Sequence, residues 1–108
     1  MELAILNSLV CTTEGVYKVE RIDVETARKL LKSYQGNWKS YVGHESTANF
    51  LSALLKTKIQ HSRVTFQHRQ YQTALCFKLF ERVPEKTYYT EFDLERVDYT
   101  FFLMKKID

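Results

Sequence analysis

In the run Ala74-Leu75-Cys76-Phe77-Lys78-Leu79-Phe80, every residue except Lys78 is apolar. A strand that is apolar on both of its alternating faces belongs in the middle of a sheet, because an edge or half-exposed strand shows clean alternation instead. This run therefore constrains the fold more than any other: the chain must build a sheet around it. Tyr99-Thr100-Phe101-Phe102-Leu103-Met104 is a second strong strand candidate, and Leu3-Ala4-Ile5-Leu6 reads as a short buried N-terminal strand. Val16, Tyr17, Val19 and Ile22 continue in an extended pattern after the polar turn Thr12-Thr13-Glu14-Gly15. Ser62-Arg63-Val64-Thr65-Phe66 is strand-like in its β-branched and aromatic content. With the polar stretch Gln67 to Gln72 as a loop, it is expected to pair with Ala74–Phe80 as an antiparallel hairpin.

Helical spacing appears in three places. Asp23 offers an N-cap to Val24, Ala27, Leu30, Leu31 and Tyr34, and Gly36-Asn37 stops that helix. Trp38 to Val42, a connector or short strand, delivers the chain to a helix over Glu45 to Lys56, with Ala48, Leu51, Leu54 and Leu55 recurring along it. Pro84 breaks the pattern beyond the central run, and Thr90 to Val97 suits one short helical turn with Thr90 and Asp93 at capping-box spacing. Mixed helices and strands in 108 residues give one domain, residues 1–108, of α/β (α+β) class: a small sandwich on a mixed sheet of about five strands.

No apolar run approaches the roughly 20 residues of a membrane span. Met1-Glu2-Leu3-Ala4-Ile5-Leu6 has neither a basic leader region nor a cleavage site, so a cytoplasmic protein is expected, with no membrane partner. Cys11 and Cys76, each within an apolar segment and in no Cys-x-x-Cys pair, are expected as small buried hydrophobes in a reducing compartment. The formal net charge of +3 is mild but unevenly spread. From His44 to Lys78 the only acid is Glu45, against Lys56, Lys58, Arg63, Arg69 and Lys78, whereas acids gather at Glu14–Glu25 and Glu81–Glu95. Such asymmetry suits a basic face meeting a polyanion, although charge alone favours an ordinary solvated surface.

Chemistry narrows to one stretch, Gly43-His44-Glu45-Ser46-Thr47. The glycine permits a tight turn, and the polar cluster opens a helix whose unpaired N–H groups and dipole attract an anion such as phosphate. His44 beside a phosphate can act as an acid or a base near neutral pH. His44, His61 and His68 are scattered without carboxylate or cysteine partners at ligand spacing, so no metal and no cofactor is expected. Arg82 and Glu85 bracket the only proline. An arginine holds a phosphate through two N–H donors, and a carboxylate orients an imidazole or accepts a ribose hydroxyl. Histidine, arginine and glutamate together suffice for metal-free RNA cleavage, in which a 2′-hydroxyl attacks the neighbouring phosphate. The same residues also suit a helix cap and a surface ion pair worth about 1 kcal/mol at most.

The order of these residues resembles the viral ring nucleases, type III anti-CRISPR proteins of archaeal viruses, phages and mobile elements. The likeness runs from Leu6-Asn7-Ser8 and Gly15-x-Tyr17 through Val24-Glu25-x-Ala27-Arg28 to Gly43-His44-Glu45-Ser46-Thr47-Ala48. It continues in Leu51-Ser52-x-Leu54-Leu55, Arg63-Val64, Phe77-x-Leu79 and Arg82-x-Pro84-Glu85. Only the Gly-His-Glu-Ser-Thr segment is specific by itself.

That resemblance implies a mixed sheet flanked by helices and a homodimer with two equivalent sites facing one ligand. It implies metal-independent cleavage of cyclic tetra-adenylate, the messenger of type III CRISPR defence. By residue, it implies His44 as general acid, with Arg82 and Glu85 in support. Asn7 and Ser8 would lie beside the ligand, with Gly43, Ser46 and Thr47 binding it. A two-fold pair carrying twice the chain's formal charge of +3 suits a ring of four phosphates. The chain departs from the family at Val10, near which a serine can stand, leaving any hydroxyl role to Ser8 or Thr12. It departs again at Lys86, which replaces a glycine. A different expectation is a non-catalytic binding module of a mobile element, taking a cyclic nucleotide, weakly bound nonspecific nucleic acid, or a protein.

Overall fold

Residues Leu3, Ala4, Ile5 and Leu6 are all buried, so the strand they form is covered on both sides and sits inside the sheet. The computed structural model describes Met1–Asp108. In chain order its elements are β1 (Leu3–Leu6), β2 (Tyr17–Ile22), α1 (Val24–Ser33), β3 (Trp38–Ser40), α2 (Glu45–Leu55), β4 (Thr73–Leu79), α3 (Glu91–Arg96) and β5 (Tyr99–Lys106). The five strands form one mixed sheet in the order β2-β5-β4-β1-β3. β1 runs parallel to β3 and β4, with Ala4 opposite both Lys39 and Ala74. β5 runs antiparallel to β4 and β2, with Phe101 opposite Phe77 and Ile22. The apolar run that defines β4 thus occupies the centre, as its two-sided hydrophobicity requires.

Alternation along β1 and β4 divides the core into two layers. Leu3, Ile5, Leu75, Phe77 and Phe101 face the helices and meet Ala27 and Leu31 of α1, Phe50, Leu51, Leu54 and Leu55 of α2, and Leu94 of α3. All three helices therefore share one face of the sheet. Ala4, Leu6, Ala74, Cys76 and Met104 point to the opposite face, which receives Phe66.

That second layer corrects the expected hairpin. Ser62–Phe66 is not a strand and does not pair with β4, because β1 and β5 already occupy both edges of β4. Its β-branched content reflects a different job. The irregular segment 57–72 begins on the helix side, where Ile59 joins the first layer. It passes to the outer face at Phe66, tied on the way by Ser62 N–H donating to the Val42 carbonyl at 2.8 Å. Phe66 packs there with its ring centroid 4.8 Å from Tyr41 and 5.2 Å from His68.

His68 is buried beneath this cover. Its Nε2 lies 2.7 Å from the Gln72 carbonyl, while Nδ1 is buried without a partner. Desolvation lowers its pKa, and the nearby Lys106 charge lowers it further, against the raising effect of the Gln72 hydrogen bond. The cysteine expectation divides. Cys76 is buried in β4 and desolvation pushes its thiol up to about 12, but Cys11 is exposed. Leu9 and Val10 are exposed with it, since the chain leaves the sheet after β1 and nothing covers the turn.

Helix ends follow the sequence closely. Asp23 accepts from the Thr26 N–H at 2.8 Å, and Thr90 with Asp93 completes a reciprocal capping box on α3. At Gly15, φ is +149° and a Cβ would come within 2.1 Å of the Asp108 carbonyl oxygen, so no other residue fits that turn. No helix is long and apolar enough to cross a membrane.

Candidate functional site

Three parallel strands end on the same side of the sheet, and each leads within a few residues to side chains with chemistry. β1 runs into Asn7 and Ser8, β3 into Gly43 and His44, and β4 into Arg82 and Glu85. The crevice outside the carboxyl ends of parallel strands is where open α/β sheets hold ligands.

His44 is the N-cap of α2, with φ −125° and ψ 121°. It differs from Asp23 and Thr90 in accepting no backbone N–H through its side chain, so the first-turn amides of α2 have no side-chain cap. The first intrahelical bond runs from Ala48 N–H to the His44 carbonyl at 3.0 Å. The imidazole instead sits with Nδ1 3.2 Å from Ser46 Oγ, leaving Nε2 free of protein partners. Ser46 and Thr47 are buried in the first turn, which fixes the side from which His44 is approached.

His44 lines three adjoining hollows. The main one is a wholly polar groove of about 490 Å³ between α2, segment 57–72 and the loop after β4, holding Glu45, Ser46, Asn49, His61, Arg63, Glu85, Lys86 and Thr87 with it. A second, of about 290 Å³, brings His44 together with Ser46, Thr47, Arg82 and Glu85. In the third, of about 440 Å³, Asn7, Ser8, Thr47 and Lys78 join it. Seven of the eight residues expected at the site thus surround one surface, with His44 at its middle.

Gly43 is the exception. It lines none of these hollows, and its carbonyl accepts from Arg63 Nε at 3.2 Å. Its φ is not positive and the chain makes no turn over residues 41–44, so the tight turn read from the sequence is absent. A Cβ there would make only ordinary contacts at 3.7 Å.

Arg82 and Glu85 form no ion pair with each other or with any other side chain. Both charges are exposed and directed into shared space, so the surface-pair reading of these residues does not apply. Lys86, by contrast, is held at both ends. Its carbonyl accepts from Asn49 Nδ2 at 3.0 Å and its ammonium pairs with Asp93 at 2.8 Å. That pairing, with the Thr90 N–H, holds the Asp93 carboxyl at about 2. Lys86 therefore ties the loop after β4 to α2 through its backbone and to α3 through its side chain. The other departure, Val10, is exposed on the turn after β1, and Thr12 is occupied in accepting the His68 N–H at 2.9 Å. Of Ser8 and Thr12, Ser8 is the one that lines a hollow shared with His44.

Polar residues around His44 that sequence reasoning did not assign to the site are Glu45, Asn49, His61, Arg63, Lys78, Lys86 and Thr87. His61, Arg63 and Lys78 carried a signal, the acid-poor basic stretch after His44; Asn49 and Thr87 carried none. No cluster of three or more histidine, cysteine or acidic side chains is arranged to hold a metal.

Comparison with known proteins places the chain in a family. The chain is similar over the full length of both proteins, at 48% identity, to the uncharacterized protein YddF of Bacillus subtilis (strain 168). It is 26% identical to the uncharacterized protein ORF117 of Acidianus two-tailed virus, across 97% of this chain and 93% of that one. Among solved structures, B116 of Sulfolobus turreted icosahedral virus shares the fold, with a TM-score of 0.83, 17% identity, and coverage of 96% of this chain and 98% of that chain. The model of the STIV B116-like family matches residues 3–101, so the chain belongs to the STIV B116-like family.

Proposed function

We propose that this protein is a metal-independent ring nuclease that cleaves cyclic tetra-adenylate and so counteracts type III CRISPR signalling. The observation that carries the reading is the meeting of His44, Arg82 and Glu85 around one hollow, with Ser46 and Thr47 at its floor. An unpaired arginine next to uncapped helix amides attracts a phosphodiester, since both present N–H donors to its oxygens. In the reaction the ribose 2′-oxygen bonds to phosphorus. Arg82 stabilises the added negative charge, and His44 Nε2 gives a proton to the departing 5′-oxygen. Glu85 orients the ribose or the imidazole. A homodimer facing two such surfaces toward one ring gives each subunit the same half of the substrate.

The test is to mix the purified protein with cyclic tetra-adenylate in EDTA and look for linear products ending in a 2′,3′-cyclic phosphate. His44→Ala is expected to slow turnover by about 100-fold or more, the usual contribution of a positioned acid. No turnover at protein excess, or undiminished turnover in His44→Ala, refutes the proposal. Tight binding without cleavage would favour the binding module instead.

A further inference from the structure

His61 is the second imidazole in the main groove, and the proposed reaction gives it no task. It comes not from a strand end but from segment 57–72, which two hydrogen bonds tie to the approach to α2. Ser62 N–H donates to the Val42 carbonyl at 2.8 Å, and Arg63 Nε donates to the Gly43 carbonyl at 3.2 Å. The chain immediately after His61 is therefore fastened, by the Ser62 backbone and the Arg63 side chain, to the two residues that precede His44. The His61 side chain is exposed and has no hydrogen-bond partner in the protein. Two imidazoles from separate elements thus border one polar groove.

Cleavage with His44 as acid also needs a group to take the 2′-hydroxyl proton, and the proposed reaction assigns none. Glu45 of α2 and Glu85 of the loop after β4 also border the groove, alongside Arg63 and Lys86. An ordinary carboxylate is a far weaker base than an imidazole, and acid–base catalysis works best when the group titrates near the working pH.

We propose, on the basis of the nuclease reading, that His61 is the general base of the reaction. His61 takes the 2′-hydroxyl proton as that oxygen forms its bond to phosphorus. The bond from phosphorus to the 5′-oxygen breaks, and His44 supplies that oxygen with a proton. One proton is accepted and one donated, and the products are a 2′,3′-cyclic phosphate and a 5′-hydroxyl.

The experiment follows turnover of cyclic tetra-adenylate in EDTA across pH for the wild type, His44→Ala, His61→Ala and His61→Gln. The wild-type rate is expected to fall on both the acid and the alkaline side. Both His61 variants are expected to be about 100-fold slower or more and to lose the acid limb, which reports the base. His44→Ala is expected to lose the alkaline limb. A substrate with sulfur at the 5′-bridging position has a leaving group that needs no proton, so His44→Ala recovers on it while the His61 variants stay slow. Circular dichroism and thermal melting establish that each variant is folded, and the glutamine variant serves should the alanine variant unfold. Retention of the acid limb in either folded His61 variant overturns the proposal, as does recovery on the sulfur substrate. Those results leave the nuclease reading standing, whereas failure of the wild type to turn over removes both.

Discussion

Replacing Phe66 by alanine tests whether segment 57–72 is a structural cover or a loose loop. Phe66 is 7% exposed and is the one aromatic side chain that this segment buries against Ala4, Leu6, Ala74, Cys76 and Met104. A buried phenylalanine hides about 200 Å², which at about 25 cal/mol per Å² is about 5 kcal/mol of transfer free energy. The denatured chain already hides part of that area, which reduces the figure to about 3 to 4 kcal/mol. Irregular backbone can also settle toward the vacated space, so the expected loss is about 3 kcal/mol, at the low end for phenylalanine truncation. Urea unfolding measures it directly. Hydrogen exchange adds a local readout, because the Ser62 amide is protected only while the segment lies against Val42. A loss below about 1 kcal/mol with the Ser62 amide still protected would refute the reasoning, showing that the segment is held by something other than its aromatic anchor.

Other expectations follow from the same structure. His68 has a folded pKa below its unfolded value, so between the two the unfolded chain binds more protons and stability falls as pH drops below the ordinary imidazole value of 6.5. His68→Gln is expected to remove that slope from denaturation curves taken between pH 7 and about pH 5. Gly15→Ala is expected to lower the melting temperature, since a methyl group would collide with the Asp108 carbonyl oxygen at a φ of +149°. Gly43→Ala, with space for a methyl group and no positive φ, is expected to leave the melting temperature unchanged. Thr90→Ala removes half of the capping box and is expected to cost about 1 kcal/mol in thermal or urea unfolding.

What the sequence made legible was whatever a single element decides for itself. β4 declared its central place because both of its alternating faces are apolar, and α3 declared its start through Thr90 and Asp93. Pairing was harder to read. Ser62–Phe66 has strand-like residues, but a segment joins a sheet only where an edge is open, and the edges of β4 went to partners distant in sequence. Cys11 shows the same limit: its apolar neighbours Leu9 and Val10 are exposed, so hydrophobic company did not mean burial. At the site, local chemistry singled out His44, whereas its nearness to Arg82 and Glu85 comes from strand order. Residue pattern alone offered those two only as candidates, and the family resemblance supplied the connection. His61 was weighed only as a metal ligand and not placed at the site, because an irregular segment carries no periodicity from which a direction can be read.

The register of β1 has a consequence for how the chain assembles. Ala4 pairs with Lys39 on one side and with Ala74 on the other, so its second neighbour is seventy residues away. Parallel pairing over such a span closes a long loop before it gains any contact, which slows folding and prolongs the life of incomplete states. During synthesis Leu3–Leu6 is made well before the strand that will complete its cover. For that interval four consecutive apolar residues with unpaired backbone groups are open to other chains, a natural point of recognition for a chaperone and of aggregation without one.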